Sequence, residues 1–242
     1  MLLFSVCLLS VASYASAAGS DLPPFIEKCS LSDPNLSECF KEKANLAIPF
    51  LVKGYKALSI SQVLPATFDT APCYADGISF IIYDTYSDSL KDLKITDALF
   101  DLKNNKAEFE AVMDRVEVTA KNYTILNGTF VGVKASGHGS FNMTMVKLVI
   151  SFKGDIRKYK KGGEDYLELT NSKLVSNVDR GYYYFENLKS EEKDDMNAYI
   201  DENWRKFSQQ LLPVVETYMK TFVYHPVNVI FKEVPINKMF LP

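Results

Sequence analysis

The chain has 242 residues, 47% of them hydrophobic and 13% aromatic, and a net charge of −3. That apolar share is ordinary for a globular core, and the slight acidity argues against a nucleic-acid-binding surface, which needs clustered Lys and Arg. The densest basic run, Arg157-Lys158-Tyr159-Lys160-Lys161, runs into Gly162-Gly163 and reads as a solvated hairpin tip.

Residues 1–18 read as a cleavable secretory signal peptide. Leu2 to Leu9 form an apolar block, small residues follow through Ala18, and Ala15-Ser16-Ala17 fits an A-x-A cleavage site. The n-region has only its free amine, with no Lys or Arg. A buried N-terminal helix or strand of a cytosolic protein is the alternative, but no charged side chain precedes Asp21. The block is too short for a membrane span, which takes about 20 apolar residues, and no later run comes close. Residues 19–242 are therefore expected to be one exported, soluble domain with no integral membrane segment.

Cys7 leaves with the signal. In an oxidising compartment Cys29 and Cys39 can pair, closing a short loop worth roughly 2–3 kcal/mol. Cys73 is then odd, either a buried free thiol or, less simply, half of an intermolecular disulfide. Four N-x-S/T sequons, at Asn35, Asn122, Asn127 and Asn142, are glycosylation candidates. They also mark faces, because a glycosylated Asn must point to solvent.

From Pro34 to about Leu58 the residues Leu36, Phe40, Ala44, Ile48, Leu51, Tyr55 and Leu58 recur at helical spacing. Pro34 suits a first turn, Pro49 should kink or divide the helix, and Gly54 suits its end. Residues from about Tyr74 to Phe185 alternate as strands, with Ile78, Phe80 and Ile82 on one face. Asn127-Gly128 reads as a two-residue hairpin turn, and Gly162-Gly163 as another. Between Phe141 and Phe152 the apolar set changes parity near Met145-Val146, which a β-bulge would explain; a similar change separates Val116 and Val118 from Tyr123 and Ile125. Asn122 and Asn142 fall opposite Tyr123, Phe141 and Met143, so those three are assigned inward.

The last helix is expected from about Ser190, as N-cap, to Val223, with a stripe through Met196, Tyr199, Asn203, Phe207, Leu211, Val215, Tyr218 and Phe222. Such a helix spans about 50 Å, more than the roughly 45 Å of a compact sphere of this chain, so an elongated molecule is expected. Pro213 should bend the helix. A long apolar stripe beside a curved sheet suggests a sheet wrapped around a helix, either solid or hollow; on the residues alone a solid core is the simpler reading.

Catalytic chemistry finds little support. His138 lies in Gly137-His138-Gly139-Ser140, but no G-x-S-x-G elbow occurs and the glycines suit strand flexure. His225 has no partner at ligand spacing, so neither a metal site nor a catalytic constellation is expected, and no cofactor is implied.

Both ends of the chain carry a resemblance. Phe185-Glu186-Asn187-Leu188, Met196-Asn197, Asn203-Trp204, Leu212-Pro213, Val234-Pro235 and Met239-Phe240-Leu241-Pro242 resemble the insect takeout and juvenile-hormone-binding protein family. Leu22-Pro23, then Cys29 and Cys39 before a helix ending at Gly54, resemble its opening, and Tyr123, Gly128 and Gly137-x-Gly139 match its spaced glycines. Leu64 to Tyr74 departs from the pattern, with Phe68-Asp69-Thr70-Ala71-Pro72-Cys73 where the family carries an Asp-Pro-Leu run.

The resemblance implies an α+β fold, an elongated α/β-wrap in which a long C-terminal helix is enclosed by a strongly curved antiparallel sheet around an apolar tunnel. It implies a Cys29–Cys39 disulfide and an extracellular carrier or sensor-accessory protein for a small hydrophobic ligand, such as a juvenile-hormone-like terpenoid, a fatty acid or another lipid, and leaves room for an unidentified receptor. Face assignment then nominates tunnel-lining residues. The sheet would supply Ile78, Phe80, Ile82, Tyr123, Ile125, Phe141, Met143 and Met145. The helix would supply Phe207, Leu211, Val215, Tyr218 and Phe222. Tyr123, Tyr218 and Tyr83 offer hydroxyls for specificity. The competing reading is a secreted interaction protein with a solid core and surface binding.

Overall fold

A computed structural model describes residues 19–75 and 78–242. The signal-peptide segment 1–18 lies outside the described residues, as do the side chains of Ile78 and Asn127.

The first helix, α1 (Leu36–Leu51), stops two residues after Pro49. Pro49 removes an interior N–H, and Gly54 at φ 80° turns the chain into a separate 3₁₀ turn, Lys56–Leu58. The helical stretch expected through Leu58 is thus divided. Cys29 and Cys39 form a disulfide that ties the incoming segment to the first turn of α1. The same segment pairs with the C-terminus, where Leu241 N–H donates to the Cys29 carbonyl at 2.8 Å.

Among the described residues seven antiparallel strands follow: β1 (Ala66–Ala75), β2 (Ile78–Ser87), β3 (Lys94–Asp101), β4 (Lys106–Phe130), β5 (Val133–Lys134), β6 (His138–Lys161) and β7 (Glu164–Phe185). Their order is β1-β2-β4-β6-β7, with β3 and β5 also on β4. At 3.3 Å per residue β4 alone spans about 80 Å of chain. β2 and β3 share one edge of β4 and leave a gap between them. A 3₁₀ turn, Ser89–Asp92, fills it: Ser89 Oγ accepts from Glu117 N–H at 2.8 Å and so satisfies that donor of the unpaired edge.

Gly162-Gly163 makes the expected hairpin, with Lys161 opposite Glu164 and both glycines at positive φ. Asn127-Gly128 does not turn. β4 runs through it, pairing with Ile78 and Ser79, and the hairpin falls at Val131-Gly132, at φ 51° and 85°. Glycine is needed at 128 for another reason: a Cβ there would stand 2.5 Å from Ile125 Cγ2 and 2.8 Å from the Ala135 carbonyl.

The face change near Met145 is present without the expected bulge. Met145 pairs with Val116 and Leu148 with Met113 in unbroken register. Instead Lys147, at φ 50°, reverses the strand, so Met145 and Leu148 both point inward; β4 reverses in the same row, between Met113 and Val116. The other change does carry a register shift, between Ala120 and Tyr123.

The C-terminal helix starts later than expected. Asp195 caps α2 (Met196–Glu202) by accepting from Ala198 N–H at 3.0 Å, while Ser190 accepts from Glu192 N–H in a turn. Asn203 interrupts the helix at φ −105°, ψ 22°. Then α3 (Trp204–Met219), a π-helical turn (Lys220–Tyr224) and α4 (His225–Glu233) run on for about 45 Å. A short α5 (Ile236–Met239) follows. The helical run extends ten residues past the expected Val223.

α3 packs on both β7 and β1, the two edges of the sheet. Glu216 reaches one of them, its Oε1 accepting from Ser176 N–H at 2.8 Å and Ser176 Oγ at 3.0 Å. The fold is therefore a curved sheet wrapped around the helix. Its described residues form two apolar clusters, one around α2, α3 and β1–β2, the other around α1, α4, α5 and β3.

Candidate functional site

The space inside the wrap is solid at one end and hollow in the middle. At the solid end Phe207 stacks on Phe130 with centroids 5.7 Å apart and meets Tyr183 edge-on at 4.6 Å. Phe80, Phe141 and Phe185 complete this aromatic block. Tyr123 belongs to it as well: its hydroxyl donates to the Glu186 carbonyl at 2.8 Å, and its ring meets Phe185 at 5.1 Å.

Beside the block lies a cavity of about 120 Å³ between α3, the π turn and the inner faces of β1, β2, β4 and β6. Of the residues nominated from sequence, Phe80, Ile82, Phe141 and Met143 line it from the sheet, and Leu211, Val215, Tyr218 and Phe222 from the helix. Tyr123, Ile125, Met145 and Phe207 do not. Tyr123, Met145 and Phe207 are buried packing residues, and Ile125 is half-buried against the same core. Ile78 cannot be assigned, its side chain lying outside the described residues.

Sequence reasoning missed part of the wall. β1 contributes Phe68, Ala71 and Cys73, and the 3₁₀ turn contributes Leu90. The β1 pattern was obscured because its inward residues change parity at Asp69, opposite Asp84 at φ 50°. Pro72 hid the strand further, although proline is accepted on an edge strand such as β1. Leu90 sits alone among polar neighbours, and no periodic signal marks it.

The wall offers few free polar groups. Thr85 Oγ1 accepts from Phe68 N–H at 2.9 Å, and Ser89 is committed to Glu117. Burial pushes the Cys73 thiol up to about 12. Among the three tyrosines nominated for specificity, Tyr123 is engaged and Tyr83 does not line the cavity. Tyr218 lines it, and among the described residues its hydroxyl has no hydrogen-bond partner. Its acidity is weakened first by burial and then by the neighbouring Cys73.

A second cavity, about 100 Å³, continues under α1 and α4, lined by Phe40, Ala44, Ile48, Leu93, Phe109 and Val227 among others. A third, about 90 Å³, lies toward Cys29, Met239 and Phe240. His138 and His225 are exposed and line none of the three. Asn35, Asn122 and Asn142 are exposed, the last two on the outer face of the sheet. Among the described residues, no helix is long and apolar enough to cross a membrane.

A family model described as haemolymph juvenile hormone binding protein (JHBP) matches residues 4–241, nearly the whole chain. The chain belongs to this JHBP family. Its fold is similar to that of Epiphyas postvittana Takeout 1, with a TM-score of 0.73 at 20% identity over 89% of this chain and 99% of that one. At that identity the likeness speaks for the fold. Lipopolysaccharide binding protein matches more loosely, with a TM-score of 0.31 at 10% identity over 77% of this chain and 38% of that one, and carries no argument. No curated protein matches the sequence. The α/β-wrap and the membership expected from the chain ends are thus those of the JHBP family.

Proposed function

We propose that this JHBP-family chain is a secreted carrier, or an accessory protein to a sensor, that shelters a small hydrophobic ligand in its interior. The observation that carries the reading is the apolar cavity between α3 and the sheet, whose hydroxyls are nearly all committed to the backbone. A ligand burying about 300 Å² of apolar surface there would gain about 7 kcal/mol before losses of entropy. The family's described ligand, juvenile hormone, supports a terpenoid-like cargo, and a fatty acid or another lipid fits the same chemistry. Tyr218 is the group that would orient a polar head. Membership in a haemolymph family, the disulfide and the three exposed sequons support export after removal of residues 1–18 and glycosylation at those sites. The reading needs no receptor, since release of cargo requires only a competing apolar phase.

The test is to secrete the protein from a eukaryotic host, extract it under denaturing conditions and analyse the extract by mass spectrometry. A stoichiometric lipid, together with a mature N-terminus near Gly19, supports the carrier. A clean extract combined with no saturable binding of an apolar fluorescent probe would sink it, and the cavities would then be packing defects.

A further inference from the structure

The first and second cavities are neighbours, and two residues belong to the walls of both: Leu90 and Phe222. They approach from opposite sides of the interior. Leu90 is carried by the 3₁₀ turn Ser89–Asp92 that fills the gap in the edge of β4, and it is buried. Phe222 is the central residue of the π-helical turn Lys220–Tyr224, where α3 passes into α4. Single wide turns of this kind occur frequently at functional positions in helices. The Phe222 ring leans on Phe68 at 5.8 Å inside the first cavity, is only half-buried, and has unfilled volume on both sides.

Size makes this junction matter. An apolar cavity of roughly 150 Å³ holds a benzene ring. The 120 Å³ and 100 Å³ spaces are both smaller than that, so each alone takes at most a ring or a short chain, and an extended lipid needs both.

We infer that Leu90 and Phe222 form an internal length gate. A short apolar ligand fills the first cavity with the gate shut. A longer chain reaches the second cavity only by displacing the Phe222 ring, so this pair sets the chain length that the interior prefers. The inference rests on the carrier reading and adds to it a specificity-determining pair.

The experiment is displacement of an apolar fluorescent probe by straight-chain fatty acids from hexanoate to octadecanoate, at a fixed pH and below their critical micelle concentrations. For wild-type protein, affinity should rise about fourfold per added methylene and then level off at an intermediate length where the chain meets the gate. Phe222→Ala and, independently, Leu90→Ala should remove the levelling and favour the longest chains by tenfold or more over wild type. Phe222→Trp should sharpen it. Thermal melts by circular dichroism establish that each variant is folded. An uninterrupted rise through octadecanoate in wild-type protein overturns the gate while leaving the carrier intact, and needs no variant to read. The same length profile in wild type and in either folded alanine variant also overturns it. No binding of probe or acid at any length overturns the gate and the carrier together.

Discussion

Gly137 and Tyr123 offer a sharp test of the packing at the solid end of the wrap. A Cβ at position 137 would overlap Tyr123 Oη and stand 2.9 Å from the Asn187 carbonyl oxygen and 3.0 Å from Leu188 Cα. Gly137 is not at positive φ, so the cost of Gly137→Ala is steric rather than conformational. Overpacking costs about 1–3 kcal/mol. Pushing the tyrosine aside also breaks its 2.8 Å bond to the Glu186 carbonyl, worth about 1 kcal/mol. Gly137→Ala should therefore destabilise by about 3 kcal/mol. Tyr123→Phe should cost about 1 kcal/mol. In the double variant the hydroxyl is gone, and only the contacts with Asn187 and Leu188 remain. The alanine should then cost about 1–1.5 kcal/mol, a coupling of about 1.5 kcal/mol. Urea unfolding followed by circular dichroism measures all four corners of the cycle, provided the m-values agree. Additivity within about 0.5 kcal/mol would refute the contact.

Other outcomes follow from the same structure. Replacing Cys29 and Cys39 together by Ala should lower stability by about 2.7 kcal/mol, from the entropy of the short loop they close, read as a shift in the urea midpoint. Tyr218→Phe should weaken a polar-headed ligand by about two- to tenfold and leave a pure hydrocarbon probe unchanged, as titration calorimetry would report. Glu168 accepts from Arg157 at 2.9 Å and pairs with Lys232 at 3.2 Å, and both hold its carboxyl below its ordinary value of 4.5. Its contribution is thus present above that ordinary value and lost as pH falls through the depressed one. The melting-temperature gap between wild type and Glu168→Gln should be constant near neutrality and close in acid. The Cys73 thiol, pushed up to about 12 by burial, should resist a disulfide reagent at pH about 8 until the protein is unfolded, and bound ligand should slow its modification further.

Much of the wrap is legible from local chemistry. The Gly162-Gly163 turn, the disulfide and the helical stripe through Leu211, Val215, Tyr218 and Phe222 each follow from a short-range rule. Long-range demands override such rules elsewhere. Asn127-Gly128 has the composition of a turn, yet β4 must continue through it to keep its partner β2, and Val131-Gly132 turns instead. The reversal at Lys147 is visible as a change of apolar parity, but its mechanism is not, because a positive φ and an extra residue leave the same trace in sequence. The cavity is half legible. Face assignment finds eight of its lining residues but does not separate them from Tyr123, Met145 and Phe207, which share those faces and pack solid. Whether an inward residue meets a ring or a void depends on what stands across the interior, which alternation does not encode. Leu90 is invisible for that reason, since only the gap between β2 and β3 gives it a place in the wall.

Filling the first cavity tests the central claim most directly. Val215 lines it from α3 and Met143 from β6, so Val215→Trp and Met143→Trp introduce bulk from opposite walls. Each variant and the wild type would be titrated with the same apolar fluorescent probe, after circular dichroism has established that they are folded. The expected result is saturable binding to wild type at one site and at least tenfold weaker binding to both folded variants. Undiminished binding to a folded Val215→Trp protein would contradict the first cavity as the binding site.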